Sequence, residues 1–257
     1  MKASHKLIYL LDLLYTLSAR ELKLRYKRSI LGFGWSLLNP LAQLVVLSFV
    51  FRLIVPLGIP HYTVFLFIGM LSWTWFQAAL YQATDSITGN RELVRRPGFQ
   101  IAILPVITVT THLVHYILAF PVVLLFLGFN RIHITGAVLF LPIVWALQFA
   151  LTLGLAYPLA AIHVVFRDTQ YLLGVFLLLG FYITPIFYDS GVIPDQYQVI
   201  YRINPMVHLI GAYRSILLDG QIPQVMPLIL IGIFSGLLLF FGYRFFKRGS
   251  YRFVEEL

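Results

Sequence analysis

The chain has 257 residues, 60% of them hydrophobic and only 11% charged, where a soluble domain carries about 25% charged residues; such a chain needs a solvent other than water, over one to two domains. Its net charge of +9 does not point to nucleic acid, because the basic residues cluster beside apolar runs, as membrane-flanking charges do. With no cysteine, disulfides, thiolate metal sites and cysteine nucleophiles are excluded.

The first 35 residues do not span. Lys2 and Lys6 precede an apolar stretch, but Asp12 interrupts it, and no small-residue cleavage site follows before the run Arg20-Glu21-Leu22-Lys23. The segment therefore does not read as a signal peptide and is expected to be retained. Over 5–28, Leu7, Leu10, Leu11, Leu14 and Leu17 share one helical face, with Arg20, Lys23 and Lys27 in line further along. This pattern predicts an amphipathic helix about 36 Å long at the membrane interface. Such a helix can be a plain lipid anchor, or it can also offer a docking surface to a partner or a site for an anionic head group.

A bilayer core takes about 20 mostly apolar residues per helix. Six stretches meet this: 36–56, 63–84, 101–128, 136–163, 170–188 and 225–246. The fifth is short and ends in Thr184-Pro185, which predicts a bend. After it, 189–222 contains Pro194, is cut by Asn204-Pro205, and then runs apolar from Met206 to Leu218, only 13 residues. That is too short to cross and predicts an interfacial or re-entrant helix on the outer side.

Lys and Arg set the orientation. Residues 1–35 hold Lys2, Lys6, Arg20, Lys23, Arg25, Lys27 and Arg28; the 85–100 loop holds Arg91, Arg95 and Arg96; the 164–169 turn holds Arg167; the tail holds Arg244, Lys247, Arg248 and Arg252. Fifteen of nineteen basic residues thus fall on one side, leaving Arg52, Arg131, Arg202 and Arg214. Both termini are therefore expected in the cytoplasm.

Within the spans, polar residues recur at helical spacing. They are Ser36, Asn39 and Gln43; Thr74, Gln77, Tyr81 and Thr84; Thr108, Thr111, His112 and His115; and Trp145, Gln148 and Thr152. Polar groups in hydrocarbon face the bundle interior or a wet cavity. An interhelical hydrogen bond explains any one of them, whereas four stripes together point to a path. His112 and His115 stand at i, i+3, but no Cys, Asp or Glu completes a ligand set, so no metal site is expected. Gly232 and Gly236 predict a close helix approach in the last span. Aromatic residues make up 16% of the chain, and Trp35, Tyr62, Trp73, Trp75, Phe76, Tyr182 and Tyr188 lie near predicted interfaces. They form either an interfacial belt or a stacking surface for sugar rings.

No Asp or Glu lies mid-span, which argues against proton- or sodium-coupled transport. No G-x-x-x-x-G-K-S/T loop occurs, so any ATP that drives the protein is bound by a separate chain. No paired carboxylates and no serine-histidine-aspartate pattern support an enzyme.

Arg20-Glu21-Leu22-Lys23-Leu24-Arg25-Tyr26-Lys27 leads into Ser29-Ile30-Leu31-Gly32 and Trp35-Ser36-Leu37-Leu38-Asn39-Pro40. Then come Phe67-Ile68-Gly69-Met70-Leu71-Ser72-Trp73, Asn90 with Leu93-Val94, Leu104-Pro105, Phe166-Arg167-Asp168, Thr184-Pro185-Ile186 and Asn204-Pro205-Met206. In order and topology, and over nearly the whole chain, these resemble the permeases of type-2 ABC exporters, above all those for O-antigen and wall teichoic acid.

The resemblance implies an all-α membrane protein of six transmembrane helices, with an N-terminal interfacial amphipathic helix and short re-entrant helices on the outer side before the last span. It implies one permease domain over 1–257: a cytoplasmic interfacial helix in 1–35, spans one to five in 36–188, outer gate-like helices in 189–222, span six in 225–246 and a cytoplasmic tail in 247–257. It also implies a homodimer in the bacterial cytoplasmic membrane with two cytoplasmic ATP-binding-cassette subunits. Those subunits carry the ATP and Mg; this chain carries no cofactor and no catalytic residue. Coupling to them would fall to Asn90, Arg91, Glu92, Arg95 and Arg96 and to Phe166, Arg167 and Asp168. The cargo would be a polymer on an undecaprenyl-type lipid, its pyrophosphate meeting Arg20, Lys23, Arg25, Lys27 and Arg28 at about 1 kcal/mol each. Its path would run along Asn39, Gln43, Trp73, Trp75, Gln77, Tyr81 and Tyr182. A teichoic-acid-type cargo is slightly preferred to an O-antigen. The alternatives are a small-lipid or drug exporter of the same superfamily and a membrane enzyme acting on a lipid carrier.

Overall fold

The structure, a computed structural model, describes residues 12–21, 23 and 34–256. Arg25, Lys27, Arg28 and much of the predicted 5–28 helix lie outside the described residues. Residues 12–21 are helical and form α1. α2 (Gly34–Phe49) continues into a π-helical turn, Val50–Ile54. α3 (Tyr62–Thr84) is followed by the short α4 (Arg91–Val94), α5 (Ile103–Phe129), α6 (Leu141–Val165) and α7 (Thr169–Ile183). Then come α8 (Gln198–Ile203), α9 (Pro205–Leu217), α10 (Val225–Gly249) and α11 (Phe253–Glu256).

Five segments among the described residues are long and apolar enough to cross a bilayer: Leu37–Ile54, Tyr62–Thr84, Ile103–Phe129, Gly136–Val165 and Val225–Gly249. They coincide to within a few residues with five of the six predicted spans. The remaining one, 170–188, is α7, which has 15 residues. At 1.5 Å per residue it reaches about 22 Å, against about 30 Å for a hydrocarbon core. Its end is dictated locally. Pro185 forces the preceding residue out of helical geometry, and Thr184 sits at φ −74°, ψ 136°.

The same device divides the segment after α7. Asn204, which precedes Pro205, is at φ −75°, ψ 112° and separates α8 from α9. Asn204 Oδ1 caps α9 by accepting from the Met206 N–H at 3.0 Å, with Pro205 at the first helical position, where its missing N–H costs nothing. Asn204 Nδ2 donates to Thr184 Oγ1 at 3.0 Å, so the two proline breaks are tied together.

α3 is buried along most of its length and packs against α2, α5, α6, α7 and α9. α6 and α10 form the tightest pair. A Cβ on Gly242 would lie 2.4 Å from the Gly154 carbonyl oxygen, and one on Gly154 would lie 2.9 Å from the Leu239 nitrogen. Tyr157 fills the rest of the crossing, with ring centroids 5.4 Å from Tyr243 and 5.2 Å from Phe246. The close approach therefore falls at Gly154 and Gly242 and not at the Gly232–Gly236 pair: Gly236 has open space beside it and Gly232 only a Leu147 methyl at 3.3 Å. The spacing of small residues on α10 did not show which one its partner helix would meet.

Loops of opposite character mark the two ends of the bundle. Arg91, Arg95, Arg96, Arg167, Lys247, Arg248 and Arg252 share one end with α1. The other end holds the turn after α2, the turn after α5 and the α8–α9 segment; the His61 and Asn130 side chains link the first two, and Thr135 Oγ1 donates to the Gly220 carbonyl beyond α9 at 2.7 Å.

Candidate translocation groove and coupling face

Asn39 and Gln43 lie one turn apart on α2, and Trp73, Gln77 and Tyr81 follow at i, i+4 and i+8 on α3, so each set occupies one helical face. With Tyr182 of α7, these six line a single cavity of about 1,120 Å³ that opens along one side. Trp73 Nε1 donates to Gln77 Oε1 at 3.0 Å, which commits the amide oxygen and leaves the Gln77 NH₂ group to face the cavity. Gln43 Nε2 approaches Asn39 Oδ1 at 3.5 Å. Phe51, Phe181 and Phe187 complete the wall. Phe51 and Phe187 stack with centroids 5.4 Å apart, and Trp73 meets Phe181 edge-on at 6.4 Å. α7 reaches the tryptophan only because position 180 is glycine: a Cβ there would sit 2.9 Å from the Trp73 ring.

Trp75 is not part of this wall. It is buried on the far side of α3, its ring 5.1 Å from Tyr116, and its Nε1 has no hydrogen-bond partner among the described residues. Two residues rotate a helix by about 200°, so Trp73 and Trp75 cannot share a face. Of the other polar stripes, Thr74 lines the cavity, whereas those of α5 and α6 turn into the packed bundle. Gln148 Nε2 donates to the Ser72 carbonyl and Gln148 Oε1 accepts from the Tyr213 hydroxyl, both at 2.9 Å. Thr108 and Thr152 donate to the carbonyls of Leu104 and Gln148 in their own helices. His112 Nε2 lies 2.8 Å from Gln82 Oε1, which can accept its proton, and its ring meets His115 edge-on at 5.7 Å.

At the basic end, Asn90 Nδ2 donates to the Ser86 carbonyl at 2.9 Å and Arg91 Nε to the Thr88 carbonyl at 3.3 Å, which fixes the tight turn between α3 and α4. Glu92, Arg95 and Arg96 are exposed, as are Phe166, Arg167 and Asp168 between α6 and α7. The two turns are neighbours, because His163 Nε2 stands 3.6 Å from Asp85 Oδ1. α1 joins this face through Glu21, whose carboxylate accepts from Gln82 Nε2. Arg20 lines a cavity of about 260 Å³ with Glu21, Gln82, Asp85 and Asn90. Lys23 is exposed nearby.

At the opposite end, a residue that the sequence did not single out holds the cavity roof. Arg214 of α9 donates from Nη1 to the Pro185 carbonyl at 2.8 Å and from Nη2 to the Ile186 carbonyl at 2.7 Å, with the Phe65 carbonyl at 3.4 Å. Its guanidinium carbon lies 3.4 Å from the Phe65 ring centroid. Burial lowers its pKa to about 9, and Asp189 and Tyr62 pull it back up, so the side chain stays charged at neutral pH. The carbonyls it satisfies belong to the turn just after α7, while those of Tyr182 and Ile183 in the last turn of α7 accept from the Tyr188 hydroxyl at 3.2 and 2.6 Å. An arginine in a 13-residue apolar stretch was a visible signal, since a charge there demands a partner.

Residues 12–218 match the profile of the ABC-2 type transporter family. The chain belongs to this family. It is 34% identical over 248 residues to the O-antigen export system permease protein RfbA of Myxococcus xanthus, covering 95% of each chain. It is 31% identical over 264 residues to the protein of the same name from Klebsiella pneumoniae, covering 100% of this chain and 99% of the relative. A more distant relative is the polysialic acid transport protein KpsM of Escherichia coli, 25% identical over 89% of this chain and 90% of the relative. As an ABC-2 type permease, the chain is a transport subunit and not itself an enzyme. The groove, the basic turns and the Arg214 anchor lie within the matched region.

Proposed function

We propose that this chain is the transmembrane subunit of an ATP-binding-cassette exporter that carries a lipid-linked cell-surface polysaccharide across the bacterial cytoplasmic membrane, and that it acts as a homodimer with two cytoplasmic ATPase subunits. The observation that carries the reading is the groove of aromatic rings and side-chain amides between α2, α3 and α7. Sugar rings have apolar C–H faces and hydroxyl edges. A wall of Trp73, Tyr81, Phe181 and Tyr182 suits the faces, and the amides of Asn39, Gln43 and Gln77 suit the edges.

In this reading the basic end is cytoplasmic and α7 with the turn that follows it completes a sixth crossing. The 189–222 segment dips back from outside as a gate. The groove's open side is closed by the second copy. The partner subunits bind ATP and Mg. Their closure pushes on Asn90–Arg96 and Phe166–Asp168, and α7, which starts at the second of these turns, carries the motion to the groove wall. Arg20 and Lys23, with Arg25, Lys27 and Arg28, draw the lipid pyrophosphate to the entrance. The names of the relatives favour an O-antigen-type polymer over the teichoic-acid type.

The test is depletion of the chain from its native host, with two measurements. Surface polysaccharide is expected to fall while lipid-linked polymer accumulates inside, and affinity purification is expected to recover an ATPase in a 1:1 ratio. Unchanged surface polymer, or a chain purified without any nucleotide-binding partner, would overturn the assignment.

A further inference from the structure

A further cavity, of about 520 Å³, lies at the end opposite the basic face, between the turn at Ser190–Ile193, α8, α9 and the start of α10. Its size falls within the range of about 300–1,000 Å³ usual for small-molecule sites. It shares no lining residue with the groove. Its polar groups are oriented by one another. Gln198 Nε2 donates to Asp195 Oδ1 at 2.7 Å, and Gln198 Oε1 accepts from Arg202 Nη2 at 3.1 Å. That is the one side-chain hydrogen bond Arg202 makes among the described residues, and no carboxylate pairs with it. A backbone carbonyl can only accept, so His208 Nε2 donates to the Arg202 carbonyl at 2.8 Å. In the neutral ring this leaves Nδ1 as an acceptor. The Tyr201 hydroxyl pairs with that of Tyr188 at 3.0 Å.

The cavity thus combines donors, on Arg202 and Gln224, with acceptors, on His208 and the tyrosine hydroxyl, around an apolar floor of Val207, Pro227 and Leu228. A phosphate is an anion that mainly accepts, and one guanidinium beside several acceptors suits it poorly. A sugar ring both donates and accepts along its edge and is apolar on its face. We infer that this cavity is a second saccharide site, at the exit, which holds one or two sugar units after they leave the groove. The inference rests on the export reading above and adds a site that the groove does not contain.

Gly211 makes the site testable. It lines the cavity, and a Cβ there would meet nothing within 4 Å, so the side chain of Gly211→Phe starts in open space and reduces the room for a ligand. The experiment uses the full permease–ATPase complex in nanodiscs and saturation-transfer NMR. The probes are methyl glycosides of glucose, galactose, mannose and rhamnose, together with maltose, and inorganic phosphate serves as competitor. At least one sugar probe is expected to bind, with affinity reduced about tenfold or more in Gly211→Phe and in Gln198→Ala and unchanged in Gly236→Ala, a position that lines neither cavity. Because Gln198 is only half-buried and Gln198→Ala removes atoms without adding any, that variant reports even where Gly211→Phe fails to assemble. Three outcomes overturn the inference: no probe binds the unaltered complex, binding persists in both cavity variants, or phosphate displaces the sugar. If export in cells still requires the groove, these outcomes leave the export reading standing; if polymer export is independent of the chain, that reading fails first.

Discussion

The same substitution, made two residues apart on α3, should separate the groove wall from the packed bundle. In Trp73→Phe the ring remains but the Nε1–H···Oε1 bond to Gln77, 3.0 Å long, is lost. A bond of this kind contributes about 0.5–1.5 kcal/mol net, and Gln77 then loses its fixed orientation toward the cavity. If the groove wall reads sugar hydroxyls, export per assembled complex should fall by up to about tenfold, since about 1.4 kcal/mol is a factor of ten. In Trp75→Phe no hydrogen bond among the described residues is lost, because Trp75 Nε1 has no partner there. Relief of an unpaired buried donor, about 1–3 kcal/mol, offsets the packing lost beside Tyr116. Stability should therefore stay within about 1 kcal/mol and export should be unaffected. The assay is surface polymer normalised to membrane-inserted permease, with thermal unfolding in detergent as the stability readout. Equal export losses in the two variants, or a larger loss in Trp75→Phe, would show that the cavity is not the path.

Replacing Arg95 and Arg96 together by Glu is expected to abolish co-purification of the ATPase or uncouple it, with membrane insertion intact; normal export by that variant would remove the turn from the coupling assignment. Gly242→Ala drives a Cβ to within 2.4 Å of the Gly154 carbonyl and should cost about 1–3 kcal/mol or more, whereas Gly236→Ala, with open space around it, should be neutral in the same unfolding measurement. Arg214→Leu leaves the Pro185 and Ile186 carbonyls without their donor, at about 1–3 kcal/mol each, and Arg214→Lys should recover only part of this because ammonium lacks the planar fork; full stability in Arg214→Leu would mean that the roof is held elsewhere. Because the chain has no native cysteine, spin labels at Val46→Cys and Leu178→Cys report cleanly across the groove: their separation should change on ATP binding to the complex, while a pair on α6 and α10 stays fixed.

The spans were legible because a stretch of twenty residues without charge has few other uses. What the hydropathy pattern could not place was the end of α7, which depends on Pro185 and not on apolarity. The polar faces of α2 and α3 were legible for a similar reason: Asn39 with Gln43, and Trp73 with Gln77 and Tyr81, repeat at helical spacing. Trp75 was grouped with Trp73 as a neighbour in sequence, although its angular position on the helix argued against that. The stripes of α5 and α6 carry the same residue types as those of α2 and α3, and only the packing shows that Gln148 spends its amide on Ser72 and Tyr213. Phe51, Phe181 and Phe187 were invisible among 22 phenylalanines. Arg202 and Arg214 were counted as minority charges on the outer side, and their different surroundings emerge only once the two proline breaks fold 184–217 back on itself.

Those breaks also explain why the groove and the outer segment act as one part. Trp73 rests on Gly180, one turn before the end of α7. The Pro185 and Ile186 carbonyls just beyond that end accept from Arg214 of α9, and Thr184 is tied to Asn204. A displacement of α7 therefore moves the roof and the outer cavity together. At the basic end, α3 meets α1 through Gln82 and Glu21, α5 through Gln82 and His112, and α6 through Asp85 and His163. α3 is thus held at both ends and buried between, while α6 and α10 are locked by glycine contact. Only α2, little buried along its length, and α7, which packs mainly on α3 and α6, have slack. Both border the groove, so the elements free to move are the ones that widen or narrow it.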